Sequence, residues 1–247
     1  SWSFLVSPNR FSTPIMKRAF QFDGEILESG YPRNDLLLAK GTEEKAAEVR
    51  ERIGLPAGKK VVLYAPTWRD DQFYRAGNYK FDLRLDVKKA RRTLGDDHVL
   101  LVRKHSNIVD AVPGAGDGFV FDVSSYPDIA ELYLITDILV TDYSSLMFDF
   151  ANTGRPMLFF TYDLEYYRDQ LRGFYFDFER QAPGPLLQTS DDLIDALGDI
   201  ERIHASYADA YTEFKKMFCD LDDGHAAERV ISRMLELAHP DRPATER

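Results

Sequence analysis

A chain of 247 residues, 44% of them hydrophobic, can bury a core as one large domain or two small ones. The 29% of charged residues are spread rather than blocked, which excludes a disordered segment or a coiled-coil rod. A formal net charge of -10 and a pI near 5.0 are a poor footing for nucleic acid, though a few arginines and amides can still build a local anion pocket.

The single cysteine, Cys219, allows no internal disulfide and no cysteine-based zinc site, and reads as a small hydrophobe in a helix. No apolar run approaches the ~20 residues that span a bilayer, so a soluble chain in a reducing compartment is expected. The chain starts at Ser1 with Phe4-Leu5-Val6-Ser7, which reads as the interior of a fold, so a partner domain upstream is expected.

In chain order, a short strand at Phe4-Leu5-Val6 gives way to Ser7-Pro8-Asn9. Ile26-Leu27 runs into a loop that Gly30 bends and Pro32 stiffens. Residues 43–53 form a helix by propensity, with Glu43 and Glu44 near its positive end and Gly54 stopping it. Lys60–Ala65 is an apolar strand closed by Pro66, residues 83–94 a helix, and His98–Val102 a second buried strand. Phe119–Phe121 is a short third strand, Pro127–Leu134 a helix with proline early, and Ile138–Thr141 a fourth strand. A helical stretch then reaches Asn152, Gly154 ends it, and Pro156–Phe160 makes a fifth strand. Beyond residue 161 the pattern is aromatic and irregular. Ser190 reads as a helix cap, and helical stretches continue to Phe218 and from His225 to Ala238, before a tail expected to fray. Apolar strands alternating with helices predict an α/β, doubly wound, mostly parallel sheet with helices on both faces, its ligand outside the carboxyl ends of the strands.

Three polar clusters follow predicted strands directly: Thr67-Trp68-Arg69, Arg103-Lys104-His105 and Asp142-Tyr143-Ser144-Ser145. A parallel sheet gathers them at one edge, although each alone also reads as an ordinary loop. Ser144 and Ser145 at a helix start offer hydroxyls beside unpaired amides, which suits a diphosphate; a plain helix cap is the other reading. Asp142, beside them, would repel phosphate and is expected to orient the loop through its amides. The His105 imidazole can donate to a phosphate as charge moves onto a leaving group. Arg69 and Arg33 can neutralise the same anion through forked donors; solvated surface charge is the alternative for all three. Walker and G-x-G-x-x-G loops are missing, as are H-E-x-x-H and the oxygen spacing of a calcium loop around Asp220–Asp223, so no metal and no bound cofactor are expected.

Taken in order, Val6-Ser7-Pro8-Asn9, Glu28–Asp35 (ESGYPRND), Tyr64–Arg69 (YAPTWR), Arg103-Lys104-His105, Thr141–Ser145 (TDYSS) with Phe148-Asp149, and Leu171–Tyr175 (LRGFY) resemble the CDP-glycerol glycerophosphotransferases that polymerise teichoic acid and related polyol phosphates. The resemblance runs to at least Leu187. It implies the carboxyl-terminal, nucleotide-binding half of a two-domain GT-B-like enzyme. Residues 1–238 would be the donor domain with closing helices and 239–247 the tail. By that resemblance Arg33, Thr67, Arg69, His105, Ser144 and Ser145 line the donor site, with His105 and Arg69 catalytic. Asp149 would reach the ribose hydroxyls, and the cytosine would be read in the loops near Asp122-Val123-Ser124.

The implied reaction transfers glycerol phosphate from CDP-glycerol to a lipid-linked or growing polyol-phosphate acceptor and releases CMP. The family's general base comes from the amino-terminal domain, so this chain alone is expected to turn over weakly or not at all. The full-length protein is expected on the cytoplasmic side, at the inner face of the cell membrane, with no nucleic-acid partner. Two other readings stay open: a GT-B glycosyltransferase using a UDP- or GDP-sugar, and a non-catalytic nucleotide- or polymer-binding module. An epimerase of similar fold is a third, although its acidic catalytic residues have no counterpart here.

Overall fold

The computed structural model describes residues 2–239 except 70, 72, 76, 77, 80–82, 106 and 109, so the expected tail lies, save for His239, outside the described residues. Strands β1 (Phe4–Ser7) and β2 (Glu25–Glu28) pair in parallel as a separate two-stranded sheet. β3 (Lys60–Tyr64) opens the main sheet, β4 (Phe73–Arg75) and β5 (Asn78–Tyr79) form a small antiparallel pair, and β6 (His98–Val102) and β7 (Val120–Asp122) follow. β8 (Ile138–Thr141), β9 (Met157–Phe160) and β10 (Leu186–Leu187) complete a six-stranded sheet ordered β10-β9-β8-β3-β6-β7. Every pairing in it is parallel.

The order follows from the chain's direction of winding. From β3 it steps outward to β6 and β7, then returns across β3 to β8 and steps the other way. The reversal falls between β3 and β8, and that is where a doubly wound sheet splays its loops into a crevice.

Both faces of the strands are apolar because both are covered. Val61, Leu63, Val99, Leu101, Leu139 and Phe159 point into one core, with Val49, Leu132, Tyr133 and Phe214 from the helices Glu43–Ile53, Ile129–Ile135 and Ala208–Phe218. Val62, Tyr64, Leu100, Val102, Val140 and Phe160 point into the other, against Ala90, Leu94, Leu193 and Leu197 of Val87–Leu94 and Ser190–Gly198. Each buried Val, Leu or Phe among them contributes about 1.5–3 kcal/mol, and burial on both faces is why the strands show no alternating pattern.

Several boundaries differ from the sequence reading, three of them for a capping reason. The helix expected over 83–94 starts at Val87 because the Asp86 carboxylate takes the Lys89 amide. Asp128, not Pro127, opens the next one by accepting from Ala130 N, and Thr189 rather than Ser190 caps Ser190–Gly198. The helix after β8 is shorter than expected, Leu146–Phe150, continued by a 3-10 turn at Ala151–Thr153. The final helix, Ala226–Ala238, packs back on the beginning of the chain through Arg233–Glu25 and through Arg229, which donates to Ser29 O.

Candidate active site at the switch point

A cavity of about 460 Å³ opens at the carboxyl ends of β3, β6 and β8. Thr67 and Trp68 come from the β3 loop, Arg103, Lys104 and His105 from the β6 loop, and Ser144 and Ser145 from the β8 loop, with Arg172 arriving from beyond β9. The gathering of these loops is what the parallel sheet required. His105 is exposed, and its ring stacks on Trp68 at 5.3 Å between centroids and 24° between planes. The Asn107 amide donates to Nδ1 at 3.2 Å, so in the neutral ring the proton sits on Nε2, which can donate.

Arg69 is placed differently from the expectation. It is 3% exposed and does not line the cavity. Its guanidinium donates to both oxygens of Asp163 at 2.7 and 2.9 Å, to Asp142 Oδ2 at 3.0 Å and to Thr67 O at 2.6 Å. Burial works against its charge, yet the Asp163 hydrogen bonds and the Asp142 and Asp163 charges outweigh that and raise its pKa further. A group so enclosed has no face to offer a phosphate, and the direct contact inferred for Arg69 gives way to a loop-holding role. Asp142 does what its position suggested: its Oδ1 accepts from the amides of Thr67 at 2.9 Å and Tyr143 at 2.6 Å. Burial raises the Asp142 carboxyl above its ordinary range, with Arg69 and Thr67 acting against that.

Two residues absent from the sequence-derived site complete this frame. Asp163 bridges Arg69 and the Tyr143 hydroxyl, 2.9 Å away, and Tyr143 stacks on Tyr167 at 4.0 Å. Trp68 carries His105 on its ring. Nothing local in the sequence signals Asp163, because its partners lie 94 and 20 positions away.

Ser144 and Ser145 both reach the cavity, but the short helix behind them offers fewer donors than expected. Leu146 N bonds to Ser144 Oγ at 3.3 Å, and Met147 N and Phe148 N bond to the carbonyls of Ser144 and Ser145. Hydroxyls and basic side chains, more than helix amides, present themselves to a ligand here. Lys104 Nζ meets Asp110 O and lies 3.7 Å from Asp122, while Arg103 caps Tyr126 O at 2.7 Å. Ser124 is outside the cavity lining; its Oγ accepts from Lys104 N and donates to Asp122, tying the β6 and β7 loops together.

Arg33 and Asp149 line a neighbouring cavity of about 370 Å³, which shares Tyr143 and Ser145 with the first. They form a bidentate pair, Nε to Oδ2 at 2.9 Å and Nη2 to Oδ1 at 3.1 Å, over which Tyr31 supplies a ring face 4.0 Å from the guanidinium carbon. Both Asp149 oxygens are therefore engaged, and neither residue joins His105. Close approach explains the glycine of this segment: Gly30 has φ +75°, and a Cβ there would sit 2.6 Å from Asp222 Oδ1.

A doubly wound sheet with a polar cavity at its switch point defines a class, the α/β domains whose ligands sit beyond the carboxyl ends of their strands. The chain belongs to the CDP-glycerol:poly(glycerophosphate) glycerophosphotransferase family, whose model matches residues 1–236. It is 48% identical over 237 residues to a teichoic acid poly(glycerol phosphate) polymerase of Bacillus subtilis (strain 168), covering 96% of this chain and 32% of that protein. It is 47% identical to a teichoic acid glycerol-phosphate transferase of Staphylococcus aureus (strain NCTC 8325 / PS 47), covering 95% of this chain and 61% of that one. The solved structure of the wall teichoic acid polymerase TagF superposes with a TM-score of 0.86 at 42% identity, over 97% of this chain and 58% of TagF. A TagF variant soaked with CDPG gives the same TM-score at 41% identity. The chain thus spans between about a third and three-fifths of the length of the proteins it matches.

Proposed function

We propose that this chain is the donor-binding part of a glycerophosphotransferase that moves glycerol phosphate from CDP-glycerol onto a lipid-linked or growing polyol-phosphate chain. The observation that carries the reading is the meeting of His105, Ser144 and Ser145 in one cavity at the β3–β8 reversal, in a chain of this family. The soak of a TagF variant with CDPG supports the donor.

The acceptor's terminal hydroxyl oxygen attacks the β-phosphorus of the donor. The new O–P bond forms as the bridging O–P bond to CMP breaks, and the hydroxyl proton passes to a base on the partner domain expected upstream. Negative charge grows on the departing CMP oxygens, where His105 Nε2 donates and the Ser144 and Ser145 hydroxyls align the diphosphate. Thr67 forms one wall of that cavity. Arg69 and Asp142 act behind the cavity by setting the Thr67 loop. The cytidine end lies toward β6 and β7, where Ser124 joins the two loops. The Arg33–Asp149 pair borders the site on the side of the second cavity. No described helix is long and apolar enough to cross a membrane; a lipid-linked acceptor would bring the reaction to the cytoplasmic membrane face.

Calorimetric titration of the full-length protein with CDP-glycerol, CDP-ribitol, UDP-glucose and CMP tests this reading. Tighter binding of the cytidine ligands, with CMP released when acceptor is added, is expected. Preference for UDP-glucose would make it a sugar transferase, and binding without CMP release would leave a non-catalytic module.

A further inference from the structure

We propose that Arg172 grips the donor's β-phosphoryl group, and that Trp68 is the plate that spaces Arg172 from His105, so that a diphosphate ester is told from a monophosphate. The inference rests on the donor reading above and adds a residue with which that reading did nothing.

Strand order runs β9, β8, β3, β6, β7, and the donor reading above lays the base toward β6 and β7. His105 stands on that side, after β6. Arg172 stands on the opposite side, in the segment after β9, and both line the same cavity. Trp68, from the loop after β3, the strand between them, meets both: its ring stacks with His105 at 5.3 Å and lies 5.7 Å from the Arg172 guanidinium carbon. Cation and ring attract at that range, which helps to fix the position of the arginine. Two donors held by one rigid ring suit neighbouring phosphoryl groups, the one nearer the base facing His105 and the transferred one facing Arg172.

The backbone is shaped to present Arg172. Residues Tyr167–Leu171 form a π-helical turn, and the Tyr167 carbonyl accepts from both Arg172 N and Gly173 N at 3.0 and 3.1 Å. Gly173 then reverses the chain at φ +74°, where a Cβ would approach Arg168 O to 3.3 Å. Tyr167 is itself stacked on Tyr143 of the β8 loop, so the turn is anchored to the wall of the cavity it serves.

The test compares the full-length wild type with Arg172→Ala and Arg172→Lys, each titrated with CMP, CDP, UMP and UDP, with urea unfolding as the check on folding. Arg172→Ala is expected to weaken CDP by about ten-fold or more while changing CMP by less than about two-fold, and Arg172→Lys to recover part of the loss. Equal losses for the mono- and diphosphate, or none, would overturn the proposal. Should uridine nucleotides bind better, the CDP-glycerol reading fails while the Arg172 comparison is still read from UMP and UDP. Binding of none of the four by wild type overturns both.

Discussion

Replacing Arg69 by Met removes the guanidinium that faces two carboxylates, Asp142 and Asp163, and leaves the side-chain volume nearly unchanged. Arg69 and Asp142 are 3% and 2% exposed, so water screens neither and the loss is that of a broken buried pair, about 3–5 kcal/mol. Asp163, at 17%, is wetter and adds less. For a chain of this size each kcal/mol moves the melting temperature about 2–4 °C, so a fall of roughly 6–20 °C is expected. Urea unfolding followed by tryptophan fluorescence should show a lower midpoint at unchanged slope. Burial already raises the Asp142 carboxyl, and without Arg69 it rises further. An acid with a raised folded pKa takes up protons on folding. The deficit should therefore be largest near neutral pH and shrink as pH falls toward the unfolded value of about 3.9. Adding Asp142→Asn should restore part of the loss, because the amide oxygen can keep accepting from Thr67 N and Tyr143 N without a charge. A variant within about 1 kcal/mol of wild type that loses nucleotide affinity ten-fold would refute the reasoning and return Arg69 to the ligand.

His105→Ala should lower turnover of the full-length enzyme by about 10²–10³ while leaving the urea midpoint in place, since the ring is exposed; a matching loss of stability would make it structural. Burial pushes the Cys219 thiol up to about 12, so a thiol reagent at about pH 8 should label the native chain negligibly and the unfolded chain fully. Hydrogen bonds from Arg229 hold the Asp223 carboxyl down at about 2. Its stabilising contribution is present above the unfolded value of about 3.9 and lost as pH falls toward 2. Asp223→Asn should then be less stable than wild type at about pH 5 and match it near pH 2, as read by urea midpoints.

The strands of the main sheet were legible because burial on both faces forces unbroken apolar runs such as Val61-Val62-Leu63 and Val99-Leu100-Leu101. Their lengths and order also led to the three loops that meet at the cavity. β10 escaped because two residues carry no period, and helix starts slipped because Asp86, Asp128 and Thr189 cap through side-chain geometry, which neighbouring candidates such as Ser190 imitate in sequence.

What the residue string determined by itself was the two-faced sheet, the family motifs and the chemistry gathered after the strands, all of which are local or periodic properties. The third-second-first-fourth-fifth-sixth strand order, and hence the position of the reversal, depends on which strands pair across long stretches of chain. So does the fate of the charged groups. Arg33 and Arg69 are both arginines beside motif residues, yet tertiary packing sets one against Asp149 and encloses the other between Asp142 and Asp163, while it brings Arg172 to Trp68. Whether a guanidinium meets solvent, ligand or a buried carboxylate is settled by partners distant in sequence, and a linear pattern carries no record of those distances.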